Sequence, residues 1–275
     1  MKEMIQESKL LIFDLDGTLY EDTDHFDYYC RQLQERAEAS IQDVFYDDYE
    51  KMKKGLHPVA VGKAYDLKHD RALTVDPFTL QVTAAHTWEG KAIADEHLNE
   101  EYSGEITYDF ERFVPIGDGW WLPYVTAMHY GLKQEDTWEC YNATKLYMVS
   151  DAFSLTKTPG LKERLLQLKE EKYLVVMTNS DIDDVNRLMK ELDLEDVFHE
   201  IHASSFKPIQ TKAVLQKLLD KYNVAPSHAV SIGDNFINEI APALLEGLHA
   251  VYIQPNGYDL STEQLYVVPT LEGVL

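Results

Sequence analysis

Leu10-Leu11-Ile12-Phe13-Asp14-Leu15-Asp16-Gly17-Thr18-Leu19 decides how this chain is read. An apolar run delivers two carboxylates, Asp14 and Asp16, into a Gly-Thr turn. Strands of a parallel sheet are covered on both faces and tolerate apolar residues at successive positions. The run therefore predicts a buried parallel strand, and open α/β sheets place their ligands beyond the carboxyl ends of such strands. Two acids one residue apart at that place repel each other unless a cation or a shared proton relieves them. That pressure points to metal-assisted chemistry, with Asp14 as nucleophile and Asp16 as proton donor and acceptor. Taken alone, the residues also fit a turn that merely ends a strand, since Asp and Gly are common there.

Three later features favour chemistry. Tyr173–Thr178 reads as a strand running into Thr178-Asn179-Ser180. A hydroxyl there, with the backbone N–H groups of Asn179 and Ser180 at a helix start, can hold phosphate oxygens. A helix N-cap at Ser180 or Asp181 accounts for the same residues. Lys207-Pro208 follows a short strand at 198–203. A lysine fixed by the next proline can neutralise an aspartate and a phosphate together, although a surface lysine before a helix fits as well. Ile232-Gly233-Asp234-Asn235 ends another buried strand. Asp234 would complete a magnesium site with Asp14, since hard cations take oxygen ligands. Glu239 lies one helical turn further on, either supporting those ligands or facing solvent.

In this order, Asp14-x-Asp16, Thr178, Lys207 and Asp234 resemble the four motifs of the haloacid dehalogenase-like superfamily, in its capped phosphatase branch. Pro159-Gly160-Leu161, Val176-Met177-Thr178-Asn179-Ser180 and Ser231-Ile232-Gly233-Asp234 are similar to that family in detail. The resemblance covers residues 9–20 and 155–253. It implies that Asp14 attacks phosphorus to form an aspartyl-phosphate, and that Asp16 protonates the leaving alcohol and then activates water. It implies Mg²⁺ between Asp14, the backbone carbonyl of Asp16 and Asp234, with Glu239 a further candidate ligand. It implies that Thr178, Asn179 and Lys207 hold the phosphoryl group. Many relatives carry Asp where this chain has Glu239. An acid at position 16 fits an oxygen-linked phosphate, because an alkoxide needs a proton on leaving and a halide does not.

The C-terminal half alternates strand and helix: helices at 159–171, 181–192, 210–222 and 235–245, strands at 173–178, 198–203, 229–233 and 249–253. That alternation predicts an α/β fold with a doubly wound parallel, Rossmann-like sheet. Residues 20–150 differ, being rich in Tyr, Trp, Asp and Glu with helical periodicity, most clearly at 27–53 and 134–149. They read as an inserted, mainly helical cap domain. The core is then 1–19 with 151–275.

The 275 residues hold 25 Lys and Arg against 48 Asp and Glu, a net charge of −23. Such a surface repels nucleic acid, anionic membranes and phosphorylated substrates at long range, so a phosphate pocket must carry its own cations. Cys30 and Cys140 show no zinc spacing and read as unpaired thiols of a cytoplasmic protein. The apolar run after the polar N-terminus is too short for a signal core or a membrane span. The substrate expected is a small phosphorylated metabolite, a nucleotide or a sugar phosphate. Gly119-Trp120-Trp121-Leu122-Pro123-Tyr124 could line a pocket for a base, which would make the chain a nucleotidase, or could pack as core. The acidic group Glu21, Asp22, Asp24 and Asp27 reads as a solvated face. A phosphomutase and a phospho-ligand sensor without turnover are the alternatives, and monomer and dimer are both open.

Overall fold

In the computed structural model, which describes residues 2–255 and 262–275, the chain opens with α1 (Lys2–Glu7) and β1 (Leu10–Phe13). Met1 and residues 256–261, counted above with the core, lie outside the described residues. All four residues of β1 are buried, as an unbroken apolar strand requires. The chain divides into two compact units, Met1–Asp22 with Leu155–Leu275, and Thr23–Ser154.

The inserted unit runs α2 (Asp24–Arg36), α3 (Gln42–Lys53), β2 (Lys63–Asp66), β3 (Arg71–Val75), β4 (Val82–Thr87), α4 (Asp95–Glu101), β5 (Phe113–Ile116), α5 (Trp121–His129) and α6 (Gln134–Met148). Helices dominate, but the expectation of helical periodicity alone needs correction. The four strands form an antiparallel sheet in the order β4-β3-β2-β5. These strands are short, and alanines and charges give them no clear alternation, so tertiary pairing decides their state. The signals present were turns. Asp66 Oδ1 accepts the N–H groups of Lys68 and His69 between β2 and β3, and Asp76 Oδ1 accepts those of Phe78 and Thr79 between β3 and β4. Pro115 sits in the edge strand β5, where a missing N–H costs least. Asp66 is also fully buried, and Arg112, Tyr102 and His69 surround its carboxylate.

The other unit continues with α7 (Leu161–Lys169), β6 (Tyr173–Met177), α8 (Ile182–Glu191), β7 (Glu200–His202), α9 (Thr211–Tyr222), β8 (Ala229–Gly233), α10 (Ala241–Leu245), β9 (His249–Ile253) and β10 (Leu265–Val268). Its sheet has the order β10-β9-β8-β1-β6-β7, and every pairing is parallel. From β1 the chain steps outward to β6 and β7, then returns to β8 on the other side. The strand order therefore reverses at β1 and β8, where ligand crevices form in such sheets. Alternate strand residues feed two cores. Leu11, Phe13, Val176 and Ile232 pack with α7 and α8 through Leu165 and Leu188. Leu10, Ile12, Val175 and Met177 pack with α9 and α10 through Leu215, Leu218 and Ala243.

Three local expectations change. The helix expected after Asn235 begins as one π-helical turn, Phe236–Ile240, before α10. The acidic group is a solvated face only in part: Asp24 is exposed, while the other three carry hydrogen bonds. Glu21 accepts from the Thr270 hydroxyl and the Leu271 N–H, Asp22 from the N–H and hydroxyl of Thr156, and Asp27 from Tyr49 and Lys53. The N-terminal segment is not wholly polar in role, since Met4 and Ile5 are buried against the first core. Among the described residues no helix is long and apolar enough to cross a membrane.

Leu215→Ala should cost about 2–5 kcal/mol, the loss typical of a buried leucine truncated in a packed core. Lys217→Ala, on the exposed side of α9, should stay within about 0.5 kcal/mol of wild type. Urea denaturation followed by circular dichroism measures both. A second expectation concerns Glu200, which Lys221, Tyr222 and His202 hold at the start of β7. Burial opposes its ionisation, but the bonds from Lys221 and Tyr222 and the charge at His202 outweigh that and pull its pKa from 4.5 to about 2. Its stabilisation is therefore complete above pH 4.5 and fades as the pH falls toward 2. Glu200→Gln should unfold at lower urea than wild type at pH 7, and the gap should close on acidification.

Candidate active site

The pairing of β1 with β8 sets Phe13 opposite Ile232, and the Asp14 N–H extends it by donating to the Ile232 carbonyl at 2.9 Å. Asp14 and Asp234 therefore leave adjacent strands at the same sheet end. The turn after Asp14 passes very close to the second acid. A Cβ on Gly17 would lie 2.1 Å from Asp234 Oδ2, and Gly17 has φ +74°, so glycine is needed on both counts. Asp14, Asp234 and Glu239 each offer a carboxylate oxygen, all within 4.8 Å of one another.

One ammonium group answers this charge. Lys207 Nζ donates to Asp14 Oδ1 and to Glu239 Oε1, both at 2.6 Å. Lys207 and Glu239 are only 2% and 1% exposed, and Asp14 is buried beside them. Burial alone would lower the lysine pKa, but Asp14 and Glu239 outweigh it and hold Lys207 protonated. Burial raises the Asp14 pKa, with Lys207 acting against that rise and Asp16 adding to it. The lysine backbone is fixed by Asn179. The Asn179 Nδ2 group donates to the Lys207 carbonyl at 3.0 Å, and the Lys207 N–H donates to Asn179 Oδ1 at 2.7 Å. The Lys207–Pro208 peptide is cis.

Glu239 is the residue whose two readings the structure separates: it is buried, not solvated. The Asn235 N–H donates to its Oε2 at 3.0 Å, and the π-helical turn brings its side chain back over Gly233. A Cβ on Gly233 would meet Glu239 Cγ at 2.9 Å. The longer arm of glutamate is thus accommodated by the glycine that ends β8.

Thr178 follows β6 directly and is buried. Its Oγ1 accepts the Ser180 N–H at 3.1 Å, leaving the hydroxyl proton to donate elsewhere. That N–H is therefore engaged within the loop, where the sequence reading had it facing a phosphate. Asp181, rather than Ser180, caps α8, accepting from the N–H groups of Asp183 and Asp184. The Ser180 hydroxyl instead donates to Asp16 Oδ2 at 2.9 Å. The Tyr20 hydroxyl donates to Asp16 Oδ1. Burial, and then the charge of Asp16, hold the Tyr20 pKa well above its ordinary value.

The structure thus gathers Asp14, Lys207, Asp234 and Glu239 into one cluster. Asn179 joins it through the Lys207 backbone, and Ser180 links Asp16 to Thr178. Sequence reading did not find Tyr20. No local pattern pointed to it, because the turn that returns Tyr20 to Asp16 passes through Gly17 at φ +74°. Trp120 packs against His25, Phe26, Tyr29 and Tyr141, and Trp121 against Phe110 and Tyr124, so the aromatic stretch serves the core of the inserted unit. The donor set around Asp14 is oxygen only, with three carboxylates against one ammonium. That suits a hard divalent cation.

A family model described as a haloacid dehalogenase-like hydrolase matches residues 8–245. A glyceraldehyde 3-phosphate phosphatase of Pyrococcus furiosus is 27% identical over 130 residues, 44% of this chain and 54% of that protein. The chain spans about half the length of that relative. A haloacid dehalogenase-like hydrolase domain-containing protein 3 of Xenopus laevis is 27% identical over 176 residues, 57% of this chain and 70% of that protein. A haloacid dehalogenase-like family hydrolase of Xanthomonas campestris superposes with TM-score 0.48 at 16% identity, covering 97% of this chain and 93% of that one.

Lys207→Met leaves Asp14 and Glu239 buried without their cation. The expected cost is about 3–5 kcal/mol, typical of breaking a buried pair from one side. Adding Glu239→Gln to that variant should recover part of the loss. Urea denaturation in EDTA of wild type, the two single variants and the double variant measures the coupling.

Proposed function

The chain belongs to the haloacid dehalogenase-like hydrolases, and from that premise we propose that it is a magnesium-dependent phosphomonoester hydrolase of a small phosphorylated metabolite. The observation that carries this reading is one turn bearing two carboxylates held in different ways. Asp14 lies against an ammonium group, while Asp16 accepts from two neutral hydroxyls. The first arrangement suits a nucleophile and the second an acid and base.

Asp14 attacks phosphorus, the bond to the alcohol oxygen breaks, and an aspartyl-phosphate forms. Asp16 gives its proton to the departing oxygen. Asp16 then takes a proton from water, which attacks the phosphorus and releases inorganic phosphate, restoring Asp14. The Thr178 hydroxyl and the Lys207 ammonium bind the phosphoryl oxygens, and Asn179 keeps Lys207 in place. Asp14, the Asp16 backbone carbonyl and Asp234 would hold Mg²⁺, with Glu239 a fourth candidate. When bound, the ion offsets negative charge on the acids and on the phosphoryl group.

A leaving oxygen needs a proton and a halide does not, so the acid at position 16 supports a phosphate ester over a haloacid. We assign the unit Thr23–Ser154 the cap role of selecting the substrate. Between a nucleotide and a sugar phosphate, the name of the Pyrococcus relative supports a sugar or triose phosphate. Trp120 and Trp121 pack against the core of the inserted unit yet stay half-exposed, so a nucleotide remains the alternative. Two buried free cysteines, Cys30 and Cys140, support a reducing, cytoplasmic setting.

Phosphate release from p-nitrophenyl phosphate tests the reading. Wild type should be active with magnesium, silent in EDTA, and restored by added Mg²⁺. Asp14→Asn should lower kcat by at least about a thousandfold, as expected when a nucleophile is lost. Equal rates for the two proteins would overturn the assignment. A panel of triose, hexose and nucleoside phosphates then ranks the substrates by kcat/KM.

A further inference from the structure

We propose that Tyr20, together with Ser180, is a positioning residue that sets Asp16 for proton transfer to the leaving oxygen. The inference rests on the phosphatase reading above and extends it to residues outside the four motifs.

The geometry has a local cause. Leu15 to Leu19 form a tight turn through Gly17 at φ +74°, with the N–H groups of Thr18 and Leu19 both donating to the Leu15 carbonyl. Leu15 and Leu19 are buried in the core and anchor that turn. The turn returns the chain so that Tyr20 lies beside Asp16, the two forming an isolated parallel bridge. Its ring is fully buried, and its hydroxyl donates to Asp16 Oδ1. The Ser180 hydroxyl donates to Oδ2 at 2.9 Å. Ser180 is itself fixed, its N–H on Thr178 Oγ1 and its carbonyl accepting the Ser204 N–H. Each oxygen of Asp16 therefore has a donor anchored on a different element.

A general acid works only from within hydrogen-bond reach of the oxygen it protonates. A carboxylate held at one oxygen can still swing about its side-chain bonds; held at both, it cannot. When one oxygen carries the proton to the substrate, the other keeps its donor, so the orientation survives the transfer. The proton passes to the leaving oxygen as the bond to phosphorus breaks, with the bonding electron pair going to that oxygen. Only poor leaving groups need this proton early. Loss of positioning should therefore depend on the leaving group.

The test is kcat/KM, which reports steps up to the aspartyl-phosphate, for p-nitrophenyl phosphate, phenyl phosphate and an alkyl phosphate. Wild type, Tyr20→Phe and Ser180→Ala are compared, each checked by thermal unfolding. Tyr20→Phe should change the p-nitrophenyl rate little and lower the phenyl and alkyl rates by about tenfold or more, the value of a hydrogen bond to a charged group. The dependence on leaving-group acidity becomes steeper. A structural role would lower all three rates by one factor, and that parallel loss, or no loss, overturns the proposal. Should Tyr20→Phe not fold, Ser180→Ala makes the same discrimination, and a parallel loss there overturns it equally. A wild type inert toward all three esters overturns the phosphatase reading and this inference together. An active wild type whose slope the variants leave unchanged overturns the positioning role alone.

Discussion

Lys207 Nζ lies 2.6 Å from Asp14 and 2.6 Å from Glu239, with all three side chains buried. The rest of the sheet end depends on that contact. Buried carboxylates lose hydration and repel one another, and a buried charge is tolerated only when paired. Two parallel strands cannot deliver Asp14 and Asp234 side by side, with Glu239 within 4.8 Å of both, unless positive charge is present. One lysine offsets only part of it. The remaining negative charge is what makes the cluster a candidate for a divalent cation.

This local arrangement runs against the field of the whole molecule. A net charge of −23 repels phosphorylated ligands at a distance. The proposed phosphate contacts therefore need a cation that stays in place, and the backbone clamp between Asn179 and Lys207 keeps it there. The two acids of the first motif divide in the same spirit. Asp14 accepts from an ammonium group, and Asp16 accepts from the Tyr20 and Ser180 hydroxyls among its partners. Glycines make the crowding possible, since Gly17 and Gly233 leave the space that Asp234 and Glu239 occupy.

The inserted unit shows the opposite balance between sequence and structure. Its helices at 24–53 and 134–148 carry a periodic pattern and were legible. Its sheet was not. β2, Lys-Ala-Tyr-Asp, has no strand pattern of its own, and its pairing with β5 joins residues about fifty positions apart. Strands of this kind take their state from neighbours that one stretch of sequence does not contain. Likewise, Trp120 and Trp121 read as either pocket lining or core, and their ring contacts set them half-buried against the core.

Read by itself, the sequence was sufficient for the parallel α/β core, because strands buried on both faces must be apolar throughout and helices must alternate with them. It also singled out Asp14, Asp16, Thr178, Lys207 and Asp234 as candidates, since each stands in a segment that follows a strand. What those residues touch was decided by tertiary structure alone. Glu239, which the sequence left open between supporting the ligands and facing solvent, is a buried partner because a π-helical turn and Gly233 let its side chain fold back toward Lys207. Tyr20 and Ser180 met on Asp16 because separate segments, 164 residues apart from Asp16 to Ser180, converge at one sheet end. Local patterns encode burial and periodicity; which polar atoms share a hydrogen bond across such distances is set only by packing in three dimensions.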